Sequence, residues 1–297
     1  MRHTLLVALT ILSATVFAGS RHHWYGSSCG TCVTPIADDV ASCDDLQVIL
    51  NDREAVRAEE TVPVSAARSL TVRAPDAGGI YVHRTDAPRF SVKACKAGEV
   101  GASLSEIRVN VDGDRVSASG PSTGNWVVYF IVDMPRGAKA DFGTTNGPIE
   151  IRGVDATINA HAENGPVSAR DTIGSIRLTA VNGPVAFTGS SGDVVLRTDN
   201  GPIAVNLTDY LWSHGTLDAR SDNGPLALHL PRAYHSGVTV DTDGHSPVTC
   251  HAQGCREHAK FASDDDGGRW PNHIELGSGA TAVTLATNNG PVSINER

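Results

Sequence analysis

Four groups of residues in this sequence have types and spacings that could do chemistry. Cys29-Gly30-Thr31-Cys32 has the spacing of a thiol–disulfide redox motif. Asp199 and Asp222 each precede a copy of one recurring phrase, so they would meet on neighbouring repeats as an acid pair of the kind used in glycoside hydrolysis. Cys250, His251, Cys255 and His258, with His245 nearby, are zinc-ligand types. The run Asp264-Asp265-Asp266-Gly267-Gly268 is rich in the oxygens that calcium prefers.

Each group also has a plainer reading, and in each case that reading is favoured. No βαβ pattern surrounds the first cysteine pair, so a structural or labile disulfide is expected there. Arg197 and Arg220 lie two positions before the two acids on the same outward face. Interleaved Arg and Asp on adjacent strands neutralise one another as a charge ladder. The Cys/His cluster fits no familiar zinc spacing, and a Cys250–Cys255 disulfide competes for its thiolates. The Asp run lacks the alternating ligands and terminal Glu of a calcium loop and reads as a solvated turn. No catalytic residue, metal or cofactor is therefore expected.

The elements that position these groups follow from a repeat. Asn-Gly-Pro recurs at Asn146-Gly147, Asn164-Gly165, Asn182-Gly183, Asn200-Gly201, Asn223-Gly224 and Asn289-Gly290, each pair followed by Pro. The spacings are 18, 18, 18, 23 and 66 residues, the last equal to three turns of 22. A fixed period near 20 residues marks stacked supersecondary units. Apolar residues alternate on both sides of each phrase, as in Ile176/Leu178/Ala180 before Asn182 and Val185/Phe187 after it. Period two means half-buried strands. Asn-Gly normally closes a two-residue hairpin, but the following Pro has no N–H to close it. The phrase is therefore read as a corner, with Pro opening the next strand.

The predicted fold is all-β: a parallel β-helix, or β-solenoid, of 18–23-residue coils with an N-terminal β cap. The crossover rule favours a right-handed path. Stacked Asn side chains would form an amide ladder. Ile149, Val167, Val185 and Ile203 should lie above one another, and Phe187 should point inward between Ala169 and Val205.

Residues 1–18 read as a signal peptide, with Arg2 and His3 ahead of an apolar run and Val16-Phe17-Ala18 as the cleavage site. No stretch is long and apolar enough to predict a transmembrane segment. A net charge of −9 disfavours nucleic acid as a partner. Residues 19–66 read as a leader pinned by disulfides, with Cys43–Cys95 tying it to the body and Cys29 free to pair with Cys32. A short helix is expected near 52–60. Residues 67–136 supply six strand candidates that form first coils or a cap, and Gly78-Gly79-Ile80-Tyr81-Val82 looks like a worn copy of the phrase. Residues 137–297 are the repeat body, with further corners expected near 245 and 267.

The repeats lengthen after Pro202, and the added residues bring Tyr210, Leu211 and Trp212, then Tyr234 and His235, with Trp270 later. Insertions at one phase of a stack project from one face. Tyr210, Trp212, Tyr234 and Trp270 either form one exposed binding patch or cap the edge of the sheets, and the sequence leaves both readings open.

The repeated T/D-N-G-P-[IVL]-x-[IVLAF], with Leu70-Thr71-Val72 and Gly79-Ile80-Tyr81-Val82 before it, resembles the bacterial putative-adhesin β-strand-repeat family. That family is a domain of unknown function, akin to autotransporter adhesin heads, and the resemblance covers residues 67–297. It implies an exported binding or structural module, periplasmic, at the cell surface or extracellular, whose partner is an extracellular or periplasmic protein or glycan. The competing class is a carbohydrate-active enzyme on a β-helix, a polysaccharide lyase or glycosidase.

Overall fold

The computed structural model describes residues 29–297 except 66–67, 244, 254, 256–258 and 262–269. The signal segment 1–18, His258, the Asp run 264–268 and the corner expected at 267 lie outside the described residues. Within them the chain is all-β, with two three-residue 3-10 turns, Cys43–Asp45 and Leu104–Glu106. Its strands form large sheets of eleven and twelve strands and a small sheet of three.

Each repeat places one strand in each large sheet. The strand before an Asn, such as Asp155–Ala162, joins the larger sheet, and the strand after the Pro, such as Val167–Arg170, joins the other. Successive repeats pair in parallel and in register, so that Ile149 lies beside Val167, Val167 beside Val185, and Val185 beside Ile203. The period-two alternation then sends every second side chain between the sheets. Phe187 sits there, fully buried, with Ala169 and Val205 as its strand neighbours.

The corners explain the phrase. Asparagine side chains form a chain of amide hydrogen bonds, each Nδ2 donating to the Oδ1 of the preceding rung, from Asn164 on Asn146 to Asn289 on Asn223, at 3.0–3.2 Å. The glycines are needed for close approach, since none of those in the phrase adopts positive φ. A Cβ on Gly165, Gly183 or Gly201 would lie 2.2 Å from the carbonyl oxygen of the glycine one repeat earlier. Backbone cannot swing aside as a flexible side chain can. Gly183→Ala is expected to cost about 3 kcal/mol, the upper end of ordinary overpacking. Equilibrium denaturation reads this loss, and an unchanged midpoint would show that adjacent repeats can part freely.

Small hydroxyls complete the corner. Thr144 Oγ1 donates to the Gly147 carbonyl at 2.8 Å, and Thr198 and Thr287 donate to the Gly183 and Gly224 carbonyls at 3.1 Å. These threonines interrupt the apolar alternation because a buried carbonyl needs a donor. The missing proline N–H leaves no gap in the ladder, since the next residue donates instead, as Ile149 N does to the Pro166 oxygen at 2.9 Å.

At both ends the spatial order departs from the chain order. Thr281–Asn289 lies between Leu217–Asn223 and Gly237–Thr242, and Val292–Glu296 lies between Leu226–Leu230 and Val248–Cys250. The final Asn-Gly-Pro therefore stacks directly on Asn223-Gly224-Pro225, and the expectation of three intervening turns of 22 is corrected. The corner expected near 245 exists, but it packs outside the last phrase, where Val292 N donates to the Pro247 oxygen at 2.9 Å. The physical reason is the amide ladder: Asn289 extends it, whereas the 243–247 corner has no asparagine.

The other end has the same kind of splice. Ser69–Arg73 and Ile80–Thr85 lie between the first full repeat and the later strands Arg115–Ser119 and Trp126–Pro135. The worn Gly78-Gly79 copy thus stacks against Gly147, whose Cβ would meet the Gly78 oxygen at 2.0 Å. Antiparallel strands Ser91–Gly98, Val56–Val62 and Arg108–Asp112 finish this end.

The helix expected near 52–60 is instead the strands Arg53–Glu54 and Val56–Val62. Pairing with Ser91–Gly98 overrides a local helical propensity that is only a weak prior. A second core lies outside the two large sheets. Leu46, Val48 and Leu50 pack with Tyr81, Val127 and Tyr129 on the outer face of the eleven-stranded sheet. Disulfides join Cys29 to Cys32, Cys43 to Cys95 and Cys250 to Cys255.

Candidate functional site

The first insertion joins Ile203–Leu207 to Leu217–Asn223 and is fastened at several points. His235 N donates to the Tyr210 carbonyl at 2.8 Å, Trp212 N to Ser236 Oγ at 2.9 Å, and Ser213 N to the Ser190 carbonyl at 2.9 Å. The Trp212 ring packs against Phe187 with centroids 5.9 Å apart, and its Nε1–H donates to the Gly192 carbonyl at 3.2 Å. Both Trp212 and Tyr234 are only 6% exposed. Burial pushes the Tyr234 phenol pKa up to about 12.

The single four-residue patch is therefore corrected. Trp212 and Tyr234 belong to the core, because a lengthened turn leaves space beside Phe187 that an indole fills with its own N–H satisfied. Tyr210 and Leu211 remain outside, 64% and 47% exposed. Trp270 is partly exposed but sits elsewhere. It precedes Pro271–Leu276, whose His273 pairs with Asp241 near the end of Gly237–Thr242, while Tyr210 is held at His235 before that strand begins. A strand of six residues spans roughly 20 Å, so the two rings do not share a patch.

The acid pair also resolves differently. Arg197 and Arg220 lie directly beside each other, and both reach Asp218 instead of Asp199 or Asp222. Arg197 NH2 is 2.6 Å and Arg220 Nε 3.1 Å from its carboxylate. Burial alone would raise the Asp218 pKa, but the hydrogen bond and charge of Arg197, joined by those of Arg220, bring it below the usual carboxylate range. Asp222 accepts from Asn288 Nδ2 at 3.0 Å. The expected ladder with Asp199 and Asp222 is thus corrected: both arginines pair with Asp218, a carboxylate that the sequence reading missed. Its signal was present: Asp218 faces outward, two residues before Arg220.

The residues of zinc-ligand type are also engaged. Cys250 and Cys255 are bonded to each other, His251 Nδ1 lies 3.1 Å from Asn295 Oδ1, and His245 Nδ1 lies 2.9 Å from the Asp243 carbonyl. Cys43, Cys95 and the Glu59 carboxylate converge within 4.8 Å, but the two sulfurs are joined. A shallow groove of about 470 Å³ crosses the outer face of the twelve-stranded sheet, lined among others by Lys139, Asp141, Asn159 and Arg177. Asp141 is the one carboxylate of its lining, and Arg73 holds it at 3.0 Å.

No family model and no curated protein matches the chain. Solved structures do. A "putative cell adhesion protein" from Clostridium sporogenes is 10% identical with a TM-score of 0.33, over 82% of this chain and 100% of that one. A "putative adhesin" from Bacteroides fragilis is 10% identical with a TM-score of 0.34, over 82% and 97%. A "putative lipid binding protein" from Parabacteroides distasonis is 9% identical with a TM-score of 0.28, over 80% and 96%. Likeness at this level transfers no activity. Among the described residues, no helix is long and apolar enough to cross a membrane.

Proposed function

We propose that the chain is an exported, adhesin-like binding module built as a parallel β-solenoid. Residues 1–18 are its signal peptide, 19–66 its disulfide-pinned leader, 67–136 its first coils and cap, and 137–297 its repeat body. The observation that carries the binding role is the presentation of Tyr210 and Leu211. Two buried aromatic rings and three backbone hydrogen bonds fasten the loop, yet they leave an aromatic and an aliphatic side chain in water. Leaving them exposed is unfavourable, and holding them rigid lowers the entropy lost on binding. A tyrosine on a rigid scaffold is a typical interface anchor. Its partner is an extracellular or periplasmic protein or glycan.

The carbohydrate-active-enzyme alternative needs two acids converging on one cleft. The groove's one acid, Asp141, is held by Arg73, which favours the binding reading. The test pairs a screen of matrix proteins and glycans with the double change Tyr210→Ala/Leu211→Ala. Binding to the partner found should fall at least about tenfold, on the scale of one lost hot-spot residue. The melting temperature should stay within about 2 °C, as for other exposed positions. Undiminished binding would place the contact surface elsewhere.

A further inference from the structure

The three disulfides of this chain sit in unlike surroundings. Cys43 and Cys95 are 6% and 7% exposed, and Cys255 is 7% exposed with its partner Cys250 half-buried, so that neither of these pairs has an exposed sulfur. The Glu59 carboxylate lies against the Cys43–Cys95 bond and accepts from Cys43 N at 3.0 Å. A thiolate approaching that bond meets both a closed surface and a negative charge. Cys32, by contrast, is exposed on the strand Thr31–Pro35, with Val33 turned to the second core in its place. That strand lies at an edge of the small sheet. Cys29 is half-buried.

The surrounding backbone is held by hydrogen bonds besides the Cys29–Cys32 bond. Asp52 N donates to the Cys29 carbonyl at 3.0 Å, Asn51 N to the Gly30 carbonyl at 2.9 Å, and Asp52 Oδ1 accepts from Cys29 N at 2.5 Å. Strand pairing continues from Thr31 with Leu50 and from Cys32 with Ile49. The bond closes a separation of only 3 residues, against 5 for Cys250–Cys255 and 52 for Cys43–Cys95. A cross-link over so short a loop constrains the unfolded chain far less. It is therefore poorly suited to a purely stabilising role.

We propose that Cys29–Cys32 is a thiol-exchange site, which takes a solvent-borne thiol of the glutathione class as co-reactant while the other two disulfides stay closed. The incoming thiolate attacks Cys32 Sγ, the more exposed sulfur. A new sulfur–sulfur bond forms to Cys32, the Cys29–Cys32 bond breaks, and Cys29 leaves with the electron pair and takes a proton from water. The incoming sulfur is oxidised as Cys29 is reduced. A second thiolate then releases Cys32 and leaves the dithiol together with the oxidised thiol dimer. The site so described makes covalent capture of a thiol, or its release, possible without unfolding the leader.

The full chain is titrated with reduced glutathione, quenched with iodoacetamide and peptide-mapped, with circular dichroism recorded on the same samples. Cys29 and Cys32 are expected to become labelled at thiol concentrations about tenfold below those that open either of the other pairs, since access governs attack on a disulfide. The dichroism should not change over that range. Simultaneous opening of all three bonds, or loss of strand signal as Cys29 is labelled, would overturn the proposal. Cys29→Ser gives an independent reading, in which Cys32 should take up one glutathione from oxidised glutathione. A folded Cys29→Ser chain that forms no such adduct would also overturn it.

Discussion

A chain ending at Gly279 is expected to lose its last layer while keeping the repeats before it. The deleted segment holds Thr281–Asn289 and Val292–Glu296, whose Val283, Leu285, Val292 and Ile294 are buried between the sheets. Removing four such side chains forfeits roughly 6–12 kcal/mol of burial, at about 1.5–3 kcal/mol each. The effect is not confined to the missing strands. Gly237–Thr242 and Val248–Cys250 reach the rest of the stack through them, by parallel pairing. Without the spliced repeat, Gly237–Thr242 and Val248–Cys250 each face a gap one strand wide in their sheet. Stability in stacked repeats is nearly a sum of nearest-neighbour contacts, so loss should stop at the cut. Hydrogen exchange should show lost protection at 237–276 and retained protection from 139 to about 207. Protection that persists at Val238 and Val240 would mean these strands can close onto Leu217–Asn223 directly, and the splice would be dispensable.

Phe187→Ala is expected to destabilise the chain by about 3–5 kcal/mol, as truncations of fully buried aromatic rings do. The ring has no exposure, neighbours of modest size in Ala169 and Val205, and the Trp212 indole against one side. Its removal leaves a cavity that the in-register backbone cannot collapse to fill, because the corner glycines already touch along the stack. The Trp212 ring also loses its packing partner, so the loop that presents Tyr210 should loosen. Chemical denaturation measures the first effect, and Trp212 fluorescence follows the second in a chain with the other tryptophans replaced. A loss under 1 kcal/mol would mean that Trp212 swings into the vacated space.

The disulfide pairs and the register of the central repeats were legible for simple reasons. Alternation at fixed phase about each Asn leaves one way to bury Ile176, Leu178, Val185 and Phe187 together, because a one-residue slip would turn them all to water. Cys250 and Cys255 were near in sequence, and a Cys43–Cys95 bond would tie the leader to the body. The binding patch was read less well. Aromatic residues in an insertion are equally consistent with anchors and with contacts, and only packing separates Trp212 from Tyr210. The neighbour of Trp212 is Phe187, 25 residues earlier in the chain. No local pattern records that contact.

Sequence alone determined the unit: two short strands joined by a corner whose asparagine, glycine and proline each have a separate physical task. It determined the amide ladder too, since identical residues at a fixed period must meet if the repeats stack in register. Tertiary structure decided the order of stacking. Neighbouring repeats present nearly the same edge, so chain order is only one way to satisfy them. Asn289-Gly290-Pro291 fits Asn223-Gly224-Pro225 better than the asparagine-free corner at 243–247, and the last repeat is spliced in ahead of it. The same contest decided which rings face water, because Trp212 could satisfy its N–H at Gly192 and bury its ring, while Tyr210 was left on the outer side of the loop.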